Sequence, residues 1–226
     1  MLGTKTTYLE TLDPEAARAF QERLEFRRVA VGEELFSQGE MPTHLFLMKD
    51  IWAKVLVSTP GGREMVTEIL FPGEFCGVVC GLSEQTYGAS CVAMLDGQVG
   101  QIGWPDFMAL CQKHGQLMPC GLATCCAKFR QQQEMMASLA VEKVRQRTAR
   151  ILLTIAGKLG DAQGGCIEFP LPFSRQVLSE LIGTTVESTV RALSDMRKDG
   201  LVSEENGRMT LLRPDCIRQS LAVVGA

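Results

Sequence analysis

The chain has 226 residues, 46% of them hydrophobic and 22% charged, which is enough for one large or two ordinary domains that fold throughout. Its apolar runs fall short of the roughly eighteen residues that span a bilayer, and its N-terminal segment lacks the apolar core of a signal peptide, so we expect a cytoplasmic protein with no membrane partner. The net charge of −3 argues mildly against binding nucleic acid. Residues 140–226, however, hold 12 basic and 10 acidic side chains, so this part of the chain carries a net positive charge that attracts phosphate groups.

The first half of the chain predicts a short helix followed by a β-rich domain. Residues 9–25 form the helical lead-in, in which Asp13 and Pro14 supply a cap and a first helical position. From Phe26 to about Leu110 the apolar residues recur with period two in short runs. Turn signals such as Pro60-Gly61-Gly62 and Pro72-Gly73-Glu74 separate these runs. This pattern predicts a small β-sandwich or jelly roll.

A long helical segment then begins near Gln116, and it carries a heptad pattern. The spacing of 4, 3, 4 and 3 residues along one face predicts a parallel contact between two helices of a homodimer, formed by Leu122, Cys126, Phe129, Gln133 and Met136. The alternative is a single amphipathic helix that buries this face against its own domain. A second helix is predicted from about Val141 to Leu159, and residues 161–165 are predicted to be a loop.

Residues 171–201 predict two helices joined by a tight turn. The first helix runs from about Phe173 to Ile182, Ser174 is its N-cap, and Gly183 ends it in a left-handed conformation. Thr184 or Thr185 caps the second helix. Two short helices with a turn of this length form a helix-turn-helix, whose second helix can enter the major groove of DNA. The plain alternative is a helical hairpin without a nucleic-acid partner.

The residues of the second helix have the chemistry to read bases. Val190, Leu193 and Met196 form its apolar side, whereas Glu187, Ser188 and Arg191 face the other way. A carboxylate accepts from the cytosine amino group, and a guanidinium pairs with guanine N7 and O6. The alternative is a solvated salt bridge between residues four apart.

A β-hairpin is predicted immediately after these helices. The Asn206-Gly207 pair between two apolar runs is a strong hairpin signal, and a short final helix opens at Pro214. A helix-turn-helix followed by a hairpin is a winged helix-turn-helix, in which Arg208 and Arg213 are placed to meet phosphate.

An ordered set of short motifs runs through the N-terminal half, namely Gly32-Glu33, Gln38-Gly39, Leu45-Phe46-Leu47, Gly62-Arg63-Glu64 and Pro72-Gly73-Glu74-Phe75. These motifs resemble the cyclic-nucleotide-binding-type β-roll of the Crp/Fnr family of bacterial transcription regulators. The block from Phe173 to Val202 resembles the same family's winged helix-turn-helix. One departure is Ile51, which stands in a hairpin where the family usually has glycine and which predicts either another turn type or strain.

The resemblance implies an α+β chain in three parts. These are an effector-sensing β-roll domain over residues 1–115, a dimerisation helix over residues 116–139 and a winged helix-turn-helix domain over residues 140–226. It implies a homodimer that binds a palindromic site with half-sites about 34 Å apart, and RNA polymerase as a further partner. No pattern of residues indicates a nucleophile with its base, so we expect no enzymatic activity.

The resemblance also assigns roles to individual residues. By similarity to the Fnr-like branch, a TGA-type half-site is read by Glu187, Ser188, Val190 and Arg191. The predicted phosphate contacts are Ser174, Arg175, Thr185 and Arg208. The predicted effector pocket consists of Gly73, Glu74, Phe75, Cys76, Ala89 and Ser90.

Cyclic AMP is not the expected effector. Family members that bind it use an Arg-Ser pair for the cyclic phosphate, and Gly88 and Ala89 occupy those positions here. A buried phosphate would lack its main charge-assisted bonds, and Glu74 is then better explained as a turn residue. An alternative is a regulator that responds to a cyclic nucleotide through an atypical phosphate site.

The nine cysteines leave the cofactor unknown. They are odd in number and carry no secretion signal, which argues against a disulfide framework. Haem is one candidate, with Cys76 as its ligand by resemblance to carbon-monoxide-sensing relatives. An iron–sulfur cluster fits less well, because the adjacent Cys125 and Cys126 point to different helix faces. Direct thiol chemistry, such as a Cys126–Cys126 disulfide across a dimer, and a haem or redox module that acts through protein partners also remain open.

Overall fold

The computed structural model describes residues 12–62, 64–83, 85–172 and 174–222, and these divide into two compact units, Met1–Gln131 and Gln132–Ala226. Residues 9–11 of the predicted lead-in helix and Phe173 lie outside the described residues. Among the described residues, none of the helices is long and apolar enough to cross a bilayer.

The first unit begins with a short helix and continues as a β-roll. Its elements are α1 (Pro14–Arg23), β1 (Glu25–Val29), β2 (Glu34–Phe36), β3 (His44–Met48), β4 (Ala53–Ser58), β5 (Glu64–Leu70), β6 (Phe75–Cys76), α2 (Val78–Ser83), β7 (Ser90–Ala93), β8 (Gly97–Gly103) and α3 (Trp104–Lys113). The long helix α4 (Leu117–Val141) begins in this unit and ends in the second. Two antiparallel sheets, ordered β1-β8-β3-β6 and β2-β7-β4-β5, confirm the β-sandwich that the period-two pattern predicts.

The core of the first unit lies in two clusters of buried side chains. In one of them Phe20 of α1 packs edge-on against Phe75 and Phe107, with ring centroids 5.4 and 6.1 Å apart. The other lies between the sheets around Met48, Ile51 and other fully buried side chains. These clusters fix β6 and the start of α2 against the body of the roll.

The hairpin at Ile51 is not strained in the way that the missing glycine suggests. Asn206 is the one non-glycine residue with a positive φ among the described residues, so Ile51 keeps an ordinary backbone conformation. Its side chain is fully buried, and it lies against Gly97, where an added Cβ would come within 2.6 Å of Ile51 Cγ2. Glycine is therefore required at position 97, at the start of β8, and not at position 51.

The second unit contains the helix-turn-helix and its wing. After the end of α4, its elements are α5 (Val144–Leu159), β9 (Asp161–Gln163), β10 (Cys166–Pro170), α6 (Arg175–Ile182), α7 (Val186–Lys198), β11 (Val202–Glu205), β12 (Arg208–Leu211) and α8 (Pro214–Ala222). Its sheet has the order β11-β12-β10-β9. The predicted loop at residues 161–165 is wrong in its first half, because residues 161–163 pair with β10 as an edge strand.

Candidate functional site

Local signals set the ends of the two helices of the helix-turn-helix. Ser174 Oγ accepts from the amide of Val177 at the start of α6, and Gly183 ends that helix with φ of 70°. Thr185, not Thr184, is the N-cap of α7, and its Oγ1 accepts from the Ser188 amide at 3.2 Å. The turn between the helices is therefore three residues long and fully capped at both sides.

The helix α7 has one buried and one exposed side. Its buried side consists of Thr189, Ala192, Leu193 and Met196, which pack against the rest of the second unit. The exposed side carries Glu187 and Arg191, whose side chains are 82% and 71% exposed and form a 2.8 Å ion pair. Val190 is 47% exposed and lies on this side, whereas the sequence pattern places it with the apolar residues. Ser188 is half-buried beside them and accepts a bond from the Thr185 hydroxyl.

Two of the predicted phosphate-contacting arginines, Arg175 and Arg208, are paired with carboxylates. Arg175 at the start of α6 binds Glu204 of β11, and Glu204 also accepts from Arg197 at 3.1 Å. Arg208 of β12 binds Glu168 of β10. These pairs are partly exposed, so phosphate could replace the carboxylates at little cost.

The hairpin of β11 and β12 has the geometry of a two-residue turn. Glu205 pairs with Arg208, and between them Asn206 and Gly207 have φ of 50° and 73°. Two successive positive φ values are typical of the type I′ turn that Asn-Gly favours. The predicted wing is therefore present, with Arg208 as its first residue after the turn.

The predicted dimer contact is an exposed apolar stripe on α4. Leu122 is 54% exposed, Phe129 60% and Met136 70%, and Cys126 and Gln133 are exposed between them. The opposite side of the first part of the helix is turned to the β-roll. Among the described residues, the heptad face is therefore not buried by any other part of the chain, contrary to the alternative of a single amphipathic helix packed on its own domain.

The predicted effector residues fall into two groups in the structure. Glu74 is bonded to its own turn, because its Oε2 accepts from the Phe71 amide at 3.0 Å, and the Gly73 amide donates to the Met48 carbonyl. Ser90 is buried, and its Oγ accepts from the Gln38 amide at 2.9 Å. Ala89, which precedes it, is half-buried. The two remaining residues, Phe75 and Cys76, line a cavity.

This cavity lies between the β6–α2 segment and the first half of α4. Its volume is about 140 Å³, and its lining residues are Glu68, Phe75, Cys76, Gly77, Val78, Val79, Cys80, Gly121, Thr124, Cys125 and Lys128. Sequence reasoning missed the wall that α4 supplies. A signal was present in the small residues Gly121, Thr124 and Cys125, whose spacing of three and four places them on one side of the helix.

Lys128 is the cation of this cavity, and its charge is already neutralised. Its Nζ lies 2.7 Å from Glu68 Oε1 and donates to the Phe75 carbonyl at 3.2 Å. Burial lowers the pKa of Lys128, but the nearby carboxylates of Glu68 and Glu74 outweigh it, so that the pKa is raised and the side chain stays charged.

Two cysteines of the cavity, Cys76 and Cys125, are held as neutral thiols. A hydrogen bond with Cys91, together with burial, raises the pKa of Cys76 well above its usual value. Burial raises the pKa of Cys125 as well, although Lys128 partly opposes it. Because the thiolate is the reactive and metal-binding form, these thiols are poorly suited to nucleophilic attack. A cavity of about 140 Å³ is too small to hold a haem beside Cys76. Among the described residues, no group of three or more histidine, cysteine, aspartate or glutamate side chains is placed to hold a metal ion.

Comparison with known protein families gives one match in each of the two units. Residues 26–114 match the family described as the cyclic nucleotide-binding domain, and residues 146–219 match the Crp-like helix-turn-helix domain.

Curated relatives and solved structures are similar over most of the chain. The transcriptional activator protein anr of Pseudomonas aeruginosa is 25% identical over 82% of this chain and 76% of its own length. The nitrogen fixation regulation protein FixK of Bradyrhizobium diazoefficiens is 22% identical over 90% of this chain and 85% of its own. The structure of FixK2 from Bradyrhizobium japonicum is 21% identical, covers 90% of this chain and 98% of its own, and superposes with a TM-score of 0.77.

Proposed function

We propose that this chain, which belongs to the Crp/Fnr family of transcription regulators, binds a palindromic DNA site as a homodimer. We also propose that it responds to a small molecule bound in its first unit. The relatives named above include a transcriptional activator and a nitrogen fixation regulator, so activation of transcription is part of the proposal.

The exposed face of α7 carries this proposal. Glu187, Val190 and Arg191 project from the side of the helix that the second unit leaves open, while the other side is buried. A helix held in this way can enter the major groove with its N-terminal residues at the base edges. Arg191 can then exchange its exposed bond with Glu187 for a bidentate pair with guanine, and Glu187 can accept from cytosine. Val190 offers an apolar contact for a thymine methyl group.

The residues around α7 supply the contacts to the backbone of DNA. The first turns of α6 and α7 present amide groups next to Ser174 and Thr185, which suits them to phosphate. Arg175 and Arg208 flank them on α6 and on the wing. Such contacts fix the position of the protein on the duplex but do not read its sequence.

The exposed stripe on α4 supports a homodimer. A two-fold axis along α4 would bring the same stripe of each copy together and bury Leu122, Phe129 and Met136. Two recognition helices related in this way require a site with two-fold symmetry.

RNA polymerase is the further partner that we propose. The β9–β10 hairpin is the candidate surface, since residues 161–165 are exposed and the turn at Gly164 and Gly165 has two positive φ values.

The proposal is tested by the salt dependence and the sequence dependence of DNA binding. The full-length protein should bind a palindromic duplex with TGA-type half-sites more tightly than a random duplex, and both affinities should fall steeply as salt is raised.

The variant Arg191→Ala separates base reading from attraction to phosphate. It should cost about 1–3 kcal/mol on the palindrome and relax specificity at one G·C pair. The matched control is Arg218→Ala, which removes an exposed helical ion pair in α8 and should leave binding unchanged. An equal loss on specific and random DNA would contradict the base-reading role.

A further inference from the structure

The cavity between β6–α2 and α4 has a size and a lining that select for one kind of guest. We propose that it binds a small uncharged molecule built on a single aromatic ring. The binding of such a molecule does not depend on the proposed function, whereas its role as an effector rests on that function.

The volume of the cavity sets the size of the guest. It measures about 140 Å³, close to the roughly 150 Å³ of an engineered protein cavity that takes up benzene. Val79 is 59% exposed at the edge of the lining and marks the side that is open to solvent. A single ring with one small substituent fits this space, whereas a nucleotide is much larger.

The charges of the cavity exclude an ionic guest. Lys128 and Glu68 neutralise each other in an ion pair of 2.7 Å. The ammonium group of Lys128 also donates a hydrogen bond to the Phe75 carbonyl of β6. Thr124 is also engaged, because its hydroxyl donates to the Cys120 carbonyl at 3.1 Å. A charged guest would have to break the Lys128–Glu68 pair or remain unpaired in an apolar space, and both are unfavourable.

The sulfur atoms of the cavity favour an aromatic ring over an aliphatic one. Cys76 and Cys80 line it from the β6–α2 side, and Cys125 lines it from α4. Polarisable sulfur makes favourable contacts with the edges of aromatic rings. Since the thiols of Cys76 and Cys125 are protonated, the guest is held without a covalent bond.

A guest in this position would touch α4 on the side opposite its exposed stripe. Gly121, Thr124 and Cys125 face the cavity, while Leu122 and Phe129 lie on the exposed side of the same helix. The guest would therefore add contacts between the β-roll and the helix that we propose as the dimer contact.

Fluorine NMR of the full-length protein with fluorobenzene as probe tests the proposal. The resonance of fluorobenzene should broaden and shift with the wild-type protein, and 4-fluorobenzoate, which has the same ring with a negative charge, should bind at least about tenfold more weakly. The variant Cys125→Phe, which fills the cavity, should abolish the effect. Cys111→Ala should retain it, because that half-buried thiol lies in α3 and outside the cavity.

A second measurement on the wild-type protein covers the case in which Cys125→Phe does not fold. At a concentration of about ten times its dissociation constant, fluorobenzene leaves about one-eleventh of the sites empty. Alkylation of Cys125 should therefore be about elevenfold slower than without fluorobenzene. The exposed Cys216 of α8 is the internal control and should react at an unchanged rate. No broadening with the wild-type protein, equal slowing at Cys216, or equally tight binding of 4-fluorobenzoate would overturn the proposal.

DNA binding of the same samples distinguishes the two ways of failing. A protein that binds the palindrome but not fluorobenzene overturns the inference about the cavity and leaves the proposed function in place. A protein that binds fluorobenzene but no duplex DNA supports the inference about the cavity and overturns the proposed function.

Discussion

Replacement of Phe129 by alanine should weaken the proposed dimer strongly. Phe129 is 60% exposed at the middle of the stripe on α4, and a phenylalanine side chain can bury about 200 Å². Covering the exposed part therefore removes about 120 Å² of apolar surface from water, worth about 3 kcal/mol in each protomer at roughly 25 cal/mol per Å².

The two-fold symmetry doubles this effect, but two corrections reduce it. Alanine keeps part of the contact, and burial at an interface is incomplete and opposed by the ordering of side chains. We therefore expect a loss of about 3 kcal/mol for the dimer, which corresponds to an increase of on the order of 100-fold in its dissociation constant.

Sedimentation equilibrium at several protein concentrations measures this constant directly. The matched control is Val31→Ala, since Val31 is 63% exposed but lies in the β-roll outside the stripe. A wild-type protein that stays monomeric at micromolar concentration, or a Phe129→Ala protein that dimerises as tightly as the wild type, would refute the assignment of this face to the dimer.

Two further predictions concern charge and thiol reactivity. Glu204→Gln should raise DNA affinity slightly, because it removes the carboxylate that competes with phosphate for Arg175. Glu205→Gln, which removes the same charge at the exposed end of the same strand, is the control in the same binding titration. Burial raises the pKa of Cys111 to about 11, so its alkylation should be slow at pH 8 and should accelerate about tenfold per pH unit up to that pKa. The exposed Cys216 should react first. Mass spectrometry of digests measures both rates, and equal rates at pH 8 would contradict the burial of Cys111.

The helix-turn-helix could be predicted from the sequence because its signals are local. Ser174, Gly183 and the Asn206-Gly207 pair each act within a few residues, through a cap or a positive φ, and the structure confirms the element that each one predicts. The family resemblance rests on similar short motifs at turns, and the comparisons confirm it.

Two local predictions failed for identifiable reasons. Residues 161–163 are exposed and carry no alternating pattern, so their strand exists only through pairing with β10. The sequence pattern groups Val190 with Met196, six residues away, but such residues lie about 120° apart around a helix, and Val190 therefore lies on the open side.

The cavity could not be predicted, because its walls come from distant parts of the chain. Glu68, Cys76 and Lys128 belong to β5, β6 and α4, and only the fold brings them together. A turn motif in the sequence points to Phe75 and Cys76, and the spacing of Gly121, Thr124 and Cys125 marks one side of a helix, but neither pattern shows that the two segments face each other. The neutralisation of Lys128 depends on the same tertiary contact with Glu68.

The contacts at the end of α4 explain how that helix can bear on DNA binding. Leu139 lies so close to the turn of the helix-turn-helix that a Cβ at Gly183 would come within 2.5 Å of its Cδ2. Arg147 of α5 donates to the carbonyls of Glu142, Ile182 and Gly183 at 2.7, 2.8 and 3.3 Å, so one guanidinium joins the α4–α5 junction to this turn. Charged hydrogen bonds of this kind are costly to leave unmade, so the turn should follow the end of α4 when that end moves. Within the second unit, a movement of the end of α4 therefore has a direct structural route to the N-terminus of the recognition helix.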